Sequence, residues 1–136
     1  MLSNTVGTNP DLEPLSYYDE NGKLTGFDVD LITEICKTLD LECVIITMDY
    51  EELLTSCADN QVDCVIGGIL YSDDRAEFLF YSHYLTETID GETMDYCIYA
   101  KSYNLTNTFS AILETYKENG VYNAIYQRYF SPYGST

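Results

Sequence analysis

A chain of 136 residues is long enough for one domain with a substantial core and too short for two. Six basic against 23 acidic residues give a net charge of −17, which repels nucleic-acid phosphates and anionic membranes and excludes nucleic acid as a partner. The composition, 46% hydrophobic with three prolines and eight glycines, excludes a disordered chain, and its longest apolar run, residues 64–70, falls short of the roughly 20 residues that span a bilayer.

Residues 4–8 read as a short first strand, followed by a loop with Pro10 and Pro14. Asn21 and Gly22 are a strong turn signal and predict a small hairpin. Leu31, Ile32, Ile35, Cys36 and Leu39 recur at helical spacing, with Asp28 and Asp30 at the positive end of the first turn, and predict a helix over 27–39. The β-branched run 43–47 predicts a strand covered on both faces. Asp49 and Glu52 have the spacing of a capping box and open a second helix through Leu53, Leu54 and Cys57, before another buried strand at 63–66. Strand and helix thus alternate as a parallel α/β sheet requires. Residues 78–81 read as a short strand, 86–91 as an extended connection and 96–100 as the last strand. One closing helix carries Leu105, Phe109, Ile112, Leu113 and Tyr116 and stops at Asn119 and Gly120; a second carries Tyr122, Ile125, Tyr126, Tyr129 and Phe130. The fourteen tyrosines fall mostly at helical or strand spacing, as core packing would place them.

Cys36 and Cys43 are spaced C-x6-C, Cys57 and Cys64 repeat the spacing, and Cys97 is left over. No close Cys-x-x-Cys pair exists, and His83 is the only histidine, so neither a metal site nor a cofactor is expected. Met1 leads into the first strand without a basic and apolar leader, so any secretion signal is expected to have been removed or never to have existed.

Three segments together resemble type 2 periplasmic binding proteins, the polar amino acid solute-binding proteins of ABC importers (bacterial extracellular solute-binding proteins, family 3). The first runs from Val6, Gly7 and Thr8 through Pro14 to Gly26, Phe27, Asp28, Val29 and Asp30. The second runs from Gln61 through Asp63, Gly67 and Gly68 to Ser72, Asp73, Asp74 and Arg75, and then Phe80, Tyr81 and Ser82. The third is 119–126 with Tyr129 and Phe130. The resemblance implies an α/β fold: a three-layer single lobe with a mostly parallel central sheet flanked by helices. Residues 1–90 form its N-terminal segment, and 91–136 the returning strand and C-terminal helices. In the family a whole second lobe is inserted after the strand that here includes Tyr81 and Ser82; only residues 86–93 fill that space, so the cleft is expected to have one wall.

By the same resemblance Arg75 is the expected carboxylate-binding residue, a role its planar fork suits. Ser72, three residues earlier, is expected to cap a short helical turn and to offer hydroxyl and backbone N–H to the same anion. Gly68 matches a position presenting backbone to the ligand, and Asn9 a polar contact. Leu12 stands where the family has a stacking aromatic and Leu70 where it has a hydroxyl, and the ammonium-binding acid of the second lobe is missing. The expected function is therefore amino acid binding, weak without that lobe and on the order of 1 mM, with an ABC permease as partner of a full receptor and a periplasmic or extracellular location. The resemblance also implies a disulfide of Cys36 with Cys43, and Cys57 with Cys64 is a second candidate pair. Two other classes compete: a stand-alone interaction module, such as a homodimer through the exposed hinge face, and a dehydratase-like enzyme of the same fold. No Ser/His/Asp arrangement supports the latter.

Overall fold

The computed structural model describes residues 2–130; residues 1 and 131–136 of the expected domain lie outside the described residues. A five-stranded sheet in the order β5-β1-β6-β8-β7 forms the middle layer. It comprises β1 (Ser3–Thr8), β5 (Glu42–Thr47), β6 (Cys64–Val65), β7 (Phe80–Ile89) and β8 (Glu92–Ala100). β1 pairs parallel with β5 and β6, whereas β8 pairs antiparallel with β6 and β7. Four strands therefore run one way and β8 alone is reversed, the mixed form of the mostly parallel sheet expected.

Alternation along the strands separates two cores. Cys64, Tyr96, Ile98 and Ala100 face a large one, which is completed by α1 (Phe27–Thr38), α4 (Tyr103–Asn119) and α5 (Val121–Phe130). Val65, Cys97 and Tyr99 face a smaller one, beneath α2 (Tyr50–Ala58). Helices on both faces make the three layers.

The helix ends follow from the sequence. The capping box places the Asp49 N–H 3.4 Å from Glu52 Oε1, and Gly120 ends α4 in the left-handed conformation (φ 89°). α1 begins at Gly26, which has no capping side chain; instead Pro14 and Leu15 carbonyls accept from the N–H groups of Phe27 and Asp28, each at 2.9 Å. Only glycine fits at Gly26, because with φ 128° a Cβ would stand 2.2 Å from the Leu15 carbonyl oxygen.

The preceding loop forms a second small sheet of β2 (Asp11–Leu12), β3 (Ser16–Tyr18) and β4 (Leu24–Thr25), its β3/β4 hairpin turning where Asn21 and Gly22 lie. Two expectations are corrected. β5 is an edge strand whose residues are half-buried or exposed rather than covered on both faces, and among the described residues no strand pairs with its outer side. Residues 86–91, expected as an extended connection, are extended but belong to a paired hairpin: β7 and β8 pair continuously from Phe80 with Ala100 to Ile89 with Glu92, apart from a bulge at Tyr84. Asp90 and Gly91, both at positive φ (52° and 82°), close this hairpin as a two-residue turn.

Candidate functional site

The loop after β6 carries most of the expected ligand wall. Ser72 caps α3 (Asp73–Ala76), its Oγ accepting from the Arg75 N–H at 3.1 Å. Arg75 is half-buried, and its Nη1 donates to the Leu70 carbonyl at 2.9 Å. None of the ion pairs among the described residues involves Arg75. Its guanidinium retains further donors in a chain that is strongly anionic.

Tyr99 ties this loop to the sheet. Its hydroxyl donates to the Leu70 carbonyl at 3.0 Å and accepts from the Ser72 N–H at 3.3 Å, and burial pushes its ionisation up to about 12, so it stays a neutral donor. This corrects one expectation: the Ser72 N–H is already engaged by Tyr99, and the Ser72 Oγ by the Arg75 amide, which leaves the hydroxyl proton as Ser72's contribution. Tyr99 escaped sequence reading because its strand alternation is that of an ordinary core residue.

Gly68 and Leu12 meet at a second point of the wall. Gly68 has φ +68°, and a Cβ there would lie 2.3 Å from Leu12 Cδ2, so the leucine side chain rests directly on the glycine backbone. The Asn9 side chain turns toward β5, its Nδ2 donating to the Met48 carbonyl at 3.0 Å. It lines an open pocket of about 250 Å³ together with Asp11, Thr47, Met48 and Asp49. Leu70, Ser72 and Arg75 are thus brought together, as are Gly68 and Leu12, and Asn9 adjoins them through its backbone, whose nitrogen would lie 3.5 Å from a Cβ at Gly67, while its side chain faces the acidic depression.

Behind Gly68 lies Asp28, which is fully buried, its Oδ2 accepting from the Tyr84 hydroxyl at 2.8 Å. The Tyr84 hydroxyl in turn accepts from the Gly68 N–H at 3.4 Å. Asp28 at the second position of a helix reads in sequence as a dipole-favoured surface carboxylate, and nothing in its spacing marks it as buried.

All five cysteines are free. Cys43 lies beside Cys36, and their mutual interaction lowers the ionisation of the Cys36 thiol and raises that of Cys43. The candidate pair of Cys57 with Cys64 is corrected. Cys64 points into the large core, where Asn4 donates to its sulfur at 3.7 Å, whereas Cys57 points into the smaller one and donates to the Tyr99 carbonyl at 3.5 Å, so the sheet separates them. Among the described residues no cluster of three or more His, Cys, Asp or Glu side chains is suited to a metal.

This architecture, a mixed central sheet flanked by helices, defines one lobe of a type 2 periplasmic binding protein. The chain belongs to the bacterial extracellular solute-binding proteins, family 3, whose model matches residues 5–132. It is 30% identical over 77 residues to the lysine/arginine/ornithine-binding periplasmic protein of Escherichia coli (strain K12), a match covering 57% of this chain and 30% of that relative. A cyclohexadienyl dehydratase of Pseudomonas aeruginosa is likewise 30% identical over 77 residues, covering 57% and 29%. The matched part therefore spans about a third of these curated relatives. Among solved structures, the arginine-bound form of domain 1 from TmArgBP (Phe57Trp mutant) superposes with a TM-score of 0.80 at 28% identity, covering 85% of this chain and 92% of that one. That relative is itself a single lobe.

Proposed function

We propose that this lobe binds a free amino acid, with Arg75 receiving the α-carboxylate and the Ser72 hydroxyl and the Gly68 backbone completing the wall. The observation that carries this reading is the state of Arg75: half-buried, tethered through one nitrogen to the Leu70 carbonyl and in no ion pair among the described residues. A guanidinium held in this way is preorganised for an external carboxylate. A basic amino acid, arginine first, is the ligand class. The net charge of −17 steers cations, Asp11 and Asp49 line the Asn9 depression, and the relatives named for lysine, arginine, ornithine and histidine point the same way.

Binding is weak, with a dissociation constant on the order of 1 mM, because two or three exposed contacts barely exceed the entropic cost of holding a ligand. The arginine-bound single lobe of TmArgBP supports measurable occupancy without a second lobe. Isothermal titration with arginine, repeated on Arg75→Ala, tests the assignment. Heats unchanged by the substitution refute it.

In this reading a full receptor hands its ligand to an ABC permease outside the cytoplasm, and in that oxidising compartment Cys36 and Cys43 join as a disulfide. The chain works by binding rather than by catalysis. His83, the only imidazole, is occupied on the hairpin by Thr86 (2.7 Å) and Asp95 (3.4 Å), and incubation with a cyclohexadienyl substrate should yield no product. A homodimer through the hinge face is the second reading, favoured by the exposure of Phe80, Tyr81 and Ile89 on β7. Sedimentation across a concentration series tests it, and a monomer throughout would dismiss it.

A further inference from the structure

Among the described residues, Asp28 Oδ1 is the only buried side-chain oxygen or nitrogen atom without a hydrogen-bond partner. Leaving such an atom unpaired is unfavourable, more so if it is charged, and an apolar side chain of similar shape would remove the cost. The Phe27 ring beside Asp28 in the chain packs among Tyr84, Tyr122, Tyr126 and Phe130, and the hydrogen bond that Asp28 makes is through its other oxygen. Oδ2 accepts from Tyr84, Tyr84 accepts from Gly68, and the three groups come from the start of α1, the bulge in β7 and the loop after β6.

We propose that Asp28 is a positioning residue of the ligand wall: its carboxyl group fixes the Tyr84 hydroxyl, which turns the Gly68 N–H inward. This rests on the reading of that wall given above. In a trans peptide the N–H and C=O point in opposite directions, so an inward Gly68 N–H fixes which side of the Gly67 to Gly68 peptide a ligand meets. Gly68, at φ +68°, has the conformational freedom to turn the other way if the hydroxyl is lost.

The device is sensitive to pH. Burial raises the Asp28 carboxyl to about 8, against the lowering effects of the Tyr84 hydroxyl and the Gly68 amide, and Glu87 raises it further. The titratable groups facing it are Tyr84 and Glu87 from β7, Tyr96 from β8 and Tyr122 from α5. Above about pH 8 a negative charge therefore forms behind the wall that receives the ligand carboxylate. Arginine affinity then falls on the order of tenfold, the scale of one charge pair near a protein surface.

The test combines the Gly68 amide resonance in 15N-labelled protein with arginine titrations at about pH 6.5 and about pH 9, for the wild type, Tyr84→Phe and Asp28→Asn. In the wild type the resonance should move with a midpoint near 8 and the affinity should drop about tenfold; in Asp28→Asn the resonance should stay flat and the drop should disappear, whereas Tyr84→Phe, which keeps the acid and removes the relay, should displace the Gly68 resonance at both pH values. A purely structural role would lower melting temperatures and leave the pH profiles alike, and that result would overturn the proposal. A wild type that binds no arginine would refute the ligand reading alone, and the resonance would still decide the role of Asp28. If Asp28→Asn does not fold, Tyr84→Phe, which keeps the ring, carries the test through the Gly68 resonance: a resonance left at its wild-type position would overturn the proposal.

Discussion

The parallel half of the lobe and its returning hairpin are built differently. β1, β5 and β6 are joined through α1 and α2, which lie on opposite faces of this half, although β5 at its edge stays half-buried. The base of the β7 and β8 hairpin is likewise covered, by α4 and α5 on one face and, at Cys97 and Tyr99, by α2 on the other, while Tyr81 and Ile89 remain exposed and Asp90 and Gly91 simply turn the chain. The loops of the candidate ligand wall leave the parallel half, but their anchors are on the hairpin: Tyr99 of β8 holds Leu70 and Ser72, and Tyr84 of β7 holds Gly68. The wall therefore depends on the paired base of the hairpin and not on its far end, where Asp90 and Gly91 turn.

The largest effect expected to sharpen this contrast comes from Asp28, at the base of the wall. Its acid is raised from 3.8 to about 8, so its protonated form favours the fold; that stability is complete below about pH 4 and is lost as pH rises through 8. At about 1.4 kcal/mol per pKa unit the loss is on the order of 5 kcal/mol. Urea titrations at about pH 5 and about pH 9 should show a much larger loss for wild type than for Asp28→Asn, and equal losses would contradict the assignment. Phe27→Ala, which empties a fully buried ring site in the same region, should cost about 3–5 kcal/mol in the same assay. A cost below 1 would mean that the aromatic cluster does not hold α1.

Oxidation of Cys36 with Cys43 ties α1 to β5 and should add roughly 2–3 kcal/mol. Intact mass after alkylation without reduction should show three labelled thiols in protein from an oxidising compartment, and five labels would defeat the expectation. Arg75→Ala should weaken arginine binding about tenfold with little change in stability, the expected cost of a charged hydrogen bond at a half-exposed site. On the hairpin, Ile89→Ala should change stability by less than about 0.5 kcal/mol, because Ile89 is 47% exposed. A large loss there would mean that the hairpin does carry the fold.

Much of the fold was legible because local signals agreed with it. The apolar spacing from Phe27 marked α1, the Asp49 and Glu52 spacing marked the start of α2, and Gly120 marked the end of α4. The pairing of 86–89 was missed even though Asp90 and Gly91 are a turn pair, because β7 mixes exposed apolar residues (Tyr81, Ile89) with polar ones and so lacks the alternation that marks a half-buried strand. The edge position of β5 could not be read from its β-branched run, which looks the same at an edge as in the middle of a sheet.

The sequence by itself determined which side chains are present in the loop after β6 and how far apart they stand along the chain: Gly68, Leu70, Ser72 and Arg75. Their roles were decided by partners distant in sequence. Tyr99, 27 positions from Ser72, takes up that residue's N–H, and Tyr84, 56 positions from Asp28, links the buried acid to Gly68. The sheet also decided the cysteines, holding Cys43 against Cys36 while turning Cys57 and Cys64 to opposite faces, although both pairs have the same spacing. Hydrogen bonds and burial depend on distances in space, and those distances exist only once strands and helices from different parts of the chain have packed.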